Sequence, residues 1–249
     1  MRGARVALLL LTAASGCTVP APDGSDAGSA SEAGAGGPTS SGDTSASSTA
    51  VDSERPSGLW IDETDAALGS TAEWTNKVEL ADLNGDGLLD LLFANGGDYS
   101  EPGEPELNRV FLNRGPGMPF EEATERVFGT RPDLTRVTEA RDFDADGNID
   151  VFVGNTYQTA SRLYLGTGAG EFVERSATHL PAHAASFGDS EAGDIDGDGD
   201  LDLVLADWGP GNNMVNAGGR TRLWVNDGTG RFVDATDARM PETLVPRAR

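Results

Sequence analysis

The chain has 249 residues, with 18 Lys and Arg against 41 Asp and Glu, a formal charge of −23. That balance excludes a general nucleic-acid binder, which needs a basic face. Thirty-three glycines and 13 prolines favour turn-rich β structure, one cysteine forms no internal disulfide, and two histidines leave little material for a zinc site or a His-based catalytic centre.

Arg2 and Arg5 precede the apolar run from Val6 to Leu11, which passes through Ala13 and Ala14 into Ser15, Gly16 and Cys17. The run is shorter than the roughly 20 residues of a spanning helix, and its charged, apolar, small-residue order is that of a secretory signal. With the sole cysteine following Ala14-Ser15-Gly16, the segment resembles a bacterial lipoprotein signal, although Ala14 stands where that pattern usually has Leu. The resemblance implies a signal peptide over 1–17 ending at a lipidated Cys17. With Thr18 rather than Asp next, it also implies export to the bacterial outer membrane or cell surface, the lipid being the only membrane attachment. Residues 18–57 are almost wholly Ser, Ala, Gly, Asp, Thr and Pro, with no aromatic. Such a stretch buries too little apolar surface to offset its ordering entropy and reads as a disordered tether.

From residue 58 to 249 the chain is a repeat domain. One string recurs three times: Asp82-Leu-Asn84-Gly-Asp86-Gly87-Leu88-Leu-Asp90, then Asp142-Phe-Asp144-Ala-Asp146-Gly147-Asn148-Ile-Asp150, then Asp194-Ile-Asp196-Gly-Asp198-Gly199-Asp200-Leu-Asp202. All three fit D-x-[DN]-x-D-G-x-x-D. Oxygen ligands at alternate positions of a tight loop converge on one point, and such hard-oxygen cages suit Ca²⁺. Glycine at the sixth position permits the sharp turn. The seventh residue, Leu88, Asn148 or Asp200, varies in type because it offers its backbone carbonyl.

An EF-hand needs a bidentate Glu at position twelve and flanking helices, whereas the twelfth residues are Phe93, Val153 and Leu205. The runs after each ninth-position aspartate are strand-like, and Val78 and Leu80 alternate with Glu79 as in a strand ahead of the first loop. The loops therefore join strands. A third strand follows at Arg109-Val-Phe111, Arg162-Leu-Tyr164 and Arg222-Leu-Trp224, then a glycine turn, then a fourth strand opening at Phe120, Phe172 and Phe232, with Thr124, Ser176 and Thr236 four residues on. Trp60 and Thr64 are in phase with this ending. The offset from Trp60, Phe120 and Phe172 to the next loop is 22 residues each time.

Four-stranded units repeating at 60 and then 52 residues predict an all-β, propeller-like array of about three blades, near 76–124, 137–176 and 188–236. These residues resemble the FG-GAP/VCBS repeat family, known from the integrin alpha-subunit propellers, and most closely the type found beside ASPIC/UnbV domains. The resemblance implies about three bound Ca²⁺ ions on the quoted loop residues. It carries no enzyme activity, because the shared motif is a metal loop in a scaffold. Adding 22 to Phe232 places a fourth loop at position 254, beyond Arg249. The expected ring is therefore incomplete, with the expectation that the sequence is truncated or that another copy or partner completes it.

Metal loops and glycine turns fall at one end of such units. The second-to-third connections and the links between units fall at the other. Loops of variable length at that second end contain Tyr99, Tyr157 and Trp208, which form a candidate surface for a glycan or protein, or else each plug their own loop. His179 and His183 have i, i+4 spacing, but Pro181 lies between them and no HExxH glutamate accompanies them. The expected protein is a calcium-binding, surface-anchored binding or adhesion module and not an enzyme. The alternative is the non-catalytic propeller portion of a truncated extracellular enzyme, such as one that degrades polysaccharides.

Overall fold

In the computed structural model, which describes residues 62–69, 72–97, 101–209 and 218–241, each acidic loop joins two antiparallel strands. A one-turn helix, α1 (Thr64–Ala67), precedes a first sheet of β1 (Thr75–Ala81), β2 (Asp90–Asn95), β3 (Arg109–Leu112) and β4 (Glu121–Glu122), which runs into α2 (Thr124–Phe128). The second sheet comprises β5 (Thr135–Arg141), β6 (Asp150–Asn155) and, after the short β7 (Thr159–Ala160), β8 (Arg162–Gly166) and β9 (Phe172–Glu174). Then α3 (Ser176–His179) and β10 (Ala184–Ala185) lead into β11 (Phe187–Gly193), β12 (Asp202–Asp207), β13 (Arg222–Asn226) and β14 (Phe232–Asp234), with α4 (Thr236–Arg239) last. The fold is all-β and propeller-like, and the described residues close no ring. The signal segment with Cys17, the tether, and Tyr99 lie outside the described residues.

Register repeats with the sequence. The residue before each loop pairs with the loop's ninth-position aspartate: Ala81 with Asp90, Arg141 with Asp150, Gly193 with Asp202. A register shift recurs at the start of the first strand of every sheet, at Thr75/Lys77, Thr135/Val137 and Phe187/Asp189, where it adds local twist. The Thr or Ser closing each repeat also gains a reason. Thr124, Ser176 and Thr236 open the one-turn helices, and their hydroxyls accept the N–H of Val110 (3.1 Å), Leu163 (3.0 Å) and Leu223 (3.0 Å). A hydroxyl thereby continues the hydrogen bonding of the third strand where the fourth ends.

The sheets stack face to face, and their apolar side chains interlock. Leu92, Val110 and Leu112 of the first meet Val151, Val153 and Tyr164 of the second, while Phe128 from α2 stands edge-on to Tyr164 at 5.1 Å. Phe152 and Leu163 of the second meet Leu203, Leu205 and Trp224 of the third, with Phe152 and Phe187 edge-on to Trp224 at 6.0 and 5.5 Å. Each such fully buried side chain contributes about 1.5–3 kcal/mol, so the stacking stabilises each sheet through its neighbour.

Val78 and Leu80 are 49% and 56% exposed while Glu79 is buried. The inner strand does alternate, but its buried side carries the charge. Glu79 points at the second sheet, where its Oε1 accepts from Arg141 Nη1 at 2.8 Å and Ala140 N at 3.2 Å. Val78 and Leu80 lie on the face turned away from that sheet. The equivalent Thr138 and Ala140 are buried because the first sheet covers them.

At the end opposite the metal loops, connections are tied to links. Glu106 bridges Asp133, and β7 pairs with β10. Arg109, Arg162 and Arg222 brace this end. Each lies near a fourth-strand carboxylate, Glu122 (3.3 Å), Glu174 (3.5 Å) and Asp234 (3.4 Å), and near a second acid, Glu73, Asp133 and Asp207 respectively.

Candidate functional site

Each acidic loop is wound by its own carboxylates. In the first, Asp82 Oδ2 accepts Gly87 N at 2.9 Å, Asn84 Oδ1 accepts Asp86 N at 2.9 Å and Asp86 Oδ1 accepts Leu88 N at 2.9 Å. The second repeats this through Asp142 to Gly147 N, Asp144 to Asp146 N and Asp146 to Asn148 N, at 3.0, 3.2 and 2.8 Å. The third uses Asp194 to Gly199 N, Asp196 to Asp198 N and Asp198 to Asp200 N, at 3.2, 3.3 and 3.1 Å. Glycine at position six has φ of 87°, 93° and 100°, the left-handed backbone the sequence requires. Position four is left-handed too, in Gly85, Ala145 and Gly197. Only a preference for small residues there could have signalled this.

The ninth-position aspartates do a different job from the other four ligand positions. Asp90, Asp150 and Asp202 are completely buried. One oxygen of each accepts the N–H of the loop's second residue, Leu83 (2.8 Å), Phe143 (2.7 Å) or Ile195 (3.0 Å). The other accepts an N–H at the end of the third strand, Asn113 (2.8 Å), Gly166 (2.8 Å) or Asn226 (2.9 Å). The aspartate is therefore a latch between loop and sheet, with lone pairs left over. Burial pushes the Asp150 carboxyl up to about 7, and burial likewise raises Asp90 and Asp144.

The donor set fits a hard divalent cation. Asp142, Asp144 and Asp146 bring carboxylate oxygens within 4.8 Å of one another, as do Asp194, Asp196 and Asp202. Asp142 Oδ1 is buried with no hydrogen-bond partner, which leaves a desolvated anionic oxygen that a cation would satisfy. Clustered like charges of this kind otherwise repel or take up protons. In the third loop, Arg239 of α4 sets its Nη1 3.0 Å from Asp196 Oδ2. This guanidinium competes with a cation for one oxygen. Arg239→Ala is expected to tighten calcium binding at the third loop about two- to fivefold, the worth of an exposed ion pair. Site-resolved titration calorimetry measures it, and unchanged affinity would show that the pair opens freely.

Glycine turns flank these loops. A Cβ at Gly228 would lie 2.6 Å from Asp200 Oδ2, and one at Gly230 3.4 Å from Asp144 Cβ in the preceding sheet's loop. Loops of neighbouring sheets thus share a turn.

At the opposite end, Trp208 is built into the packing. Arg136 stacks over its ring at 4.9 Å, and the indole also lies against Gly188, where a Cβ would fall 2.0 Å from it. Tyr157 sits half-buried at a left-handed turn, φ 52°. His179 Nδ1 lies 2.8 Å from Thr178 Oγ1, and His183 Nε2 lies 3.6 Å from Asp207 Oδ2. The two histidines have different partners and do not form a shared site. A crevice of about 460 Å³ opens beside them, lined by Arg162, Glu174, Leu180, Pro181, His183 and Trp224 among others. Sequence reasoning did not foresee it, because it forms where a link folds across the third strand.

Residues 142–205, from the second loop into the strand after the third, match the family model of an FG-GAP-like repeat. No curated protein matches the chain. The solved structures similar to it include one described as the basis of specific recognition of non-reducing terminal N-acetylglucosamine by an Agrocybe aegerita lectin. Identity is 22% and the TM-score 0.39, over 68% of this chain and 39% of that one, so the chain spans well under half of the lectin's length.

Proposed function

We propose that the protein is a calcium-stabilised binding module, exported and held at the bacterial outer membrane or cell surface by a lipid on Cys17, that recognises a carbohydrate through the end opposite its metal loops. The side chains of Asp82, Asn84, Asp86 and Asp90, with the Leu88 carbonyl, would hold one cation. The corresponding groups of 142–150 and 194–202 would hold the others, about three ions in all. Calcium supplies charge neutralisation and fixes loop geometry.

The observation that carries the reading is the crevice. Leu180 and Pro181 among its lining residues offer apolar contact to a sugar ring, while Glu174 and His183 offer hydrogen bonds to hydroxyls. Tyr157 lies in a connection at the same end. A glycan array probed with full-length chain in calcium tests this. Retention of defined glycans, lost on filling the crevice with Ala182→Trp, is the expected result. Retention unaffected by that substitution would remove the crevice from the reading, and release of soluble sugar from a polysaccharide would favour the alternative of an enzyme's propeller portion.

A further inference from the structure

Asn113, just past β3, and Gly166 and Asn226, which end β8 and β13, hold equivalent positions, and in each the backbone N–H is bound by the ninth-position aspartate of its own loop. The side chains differ in reach. Asn113 Nδ2 donates to Leu89 O at 3.1 Å, inside its own loop. Gly166 has no side chain, and a Cβ there would lie 2.3 Å from Ile149 O. Asn226 Nδ2 donates to two loops at once: to Leu201 O of its own at 3.1 Å, and to Phe143 O of the preceding sheet's loop at 2.7 Å, 83 residues away.

These two carbonyls stand beside groups that matter. Phe143 lies between Asp142, whose Oδ1 is buried without a partner, and Asp144. It is almost wholly buried, with its ring edge-on to Phe232 at 5.5 Å. Leu201 precedes Asp202, which belongs with Asp194 and Asp196 in the third cluster. One buried amide therefore orients a peptide next to the ligands of both loops.

We propose that Asn226 is a positioning residue that couples the second and third loops, so that cation uptake at one raises the affinity of the other. The inference rests on the reading that these loops take calcium. Ordering one loop fixes the Asn226 amide, and the second loop then orders against a partner already in place, which lowers its entropic cost. Among the described residues no equivalent side-chain bridge joins the first loop to the second, because Gly166 has no side chain to supply it.

A double-mutant cycle on chelator-stripped full-length chain, titrated with calcium alone, tests this. Asp142→Ala disables the second loop, and Asn226→Gly removes the bridge while keeping the backbone N–H that binds Asp202 and copying the residue natural to the second sheet. Asp142→Ala is expected to weaken the third loop about fivefold when Asn226 is present, the worth of one hydrogen bond, and to leave it unchanged in Asn226→Gly. Asn226→Ala should behave as Asn226→Gly does. Equal weakening in both backgrounds, or none in either, overturns the coupling while leaving the loop reading intact. Absence of any calcium uptake overturns the loop reading itself.

Discussion

Asp150→Ala is expected to lower the unfolding free energy by about 3–5 kcal/mol, and to do so with or without calcium. Its carboxylate accepts from Phe143 N and Gly166 N at 2.7 and 2.8 Å in a position closed to water. Each orphaned buried N–H costs about 1–3 kcal/mol, and freeing the loop also unseats Phe143 from the core between the second and third sheets. Asp142→Ala makes the contrast. That residue is part-exposed and accepts a hydrogen bond from Gly147 N at 3.0 Å, so its loss in chelator should cost less than 1.5 kcal/mol, about one ordinary hydrogen bond. In calcium the cost grows by whatever the ion contributed. Urea denaturation of the two variants in each condition measures both. A calcium-dependent penalty for Asp150→Ala, absent in chelator, would show that the residue acts only as a ligand and not as a latch.

Chelation is expected to lower the melting temperature of the full chain by roughly 10 °C or more. At a calcium concentration a hundredfold above the dissociation constant, each site adds about 2.7 kcal/mol to the folded state, and for a domain of this size each kcal/mol moves the midpoint roughly 2–4 °C. The chelated protein should also melt higher at pH 5 than at pH 8. Burial raises Asp150 to about 7, above the ordinary carboxylate value it has when unfolded, and raises Asp90 and Asp144 in the same direction. Groups shifted this way contribute stability that is complete below the unfolded value, near 4, and is lost as the pH climbs through the folded value, near 7. Calcium replaces the protons, so saturation should flatten or reverse the trend. Scanning calorimetry across that range reads both effects, and a chelated midpoint that rises steadily from pH 5 to 8 would mean the loop carboxylates are not strained when empty.

Much of this was legible because the fold repeats. The in-phase aspartates located the loops, the short apolar runs after Asp90, Asp150 and Asp202 located the second strands, and constant offsets located the fourth. Alternation alone does not report which side of a strand is buried. In β1 the buried side is the charged one, because burial depends on which side has a neighbouring sheet, and among the described residues only the Glu79 side faces one. The ninth-position aspartates read as ligands because spacing reports identity and not hydrogen bonding. Their latch role needs the third strand to lie beside the loop, a contact of about 20 residues' separation that local pattern does not encode. Trp208 is similar: an aromatic in a variable loop suggests a stacking surface, but its indole is packed against Gly188 with Arg136 over the ring. Asn226 carried a signal that was visible yet mute, an Asn at the end of a repeated strand where the second repeat has Gly.

Calcium titrated calorimetrically into chelator-stripped full-length protein probes the loops most directly. Saturable uptake at more than one site, with one site lost on Asp142→Ala and another on Asp194→Ala, is the expected result. A flat titration up to millimolar calcium, with the fold intact by circular dichroism, would contradict the assignment of these loops as cation sites.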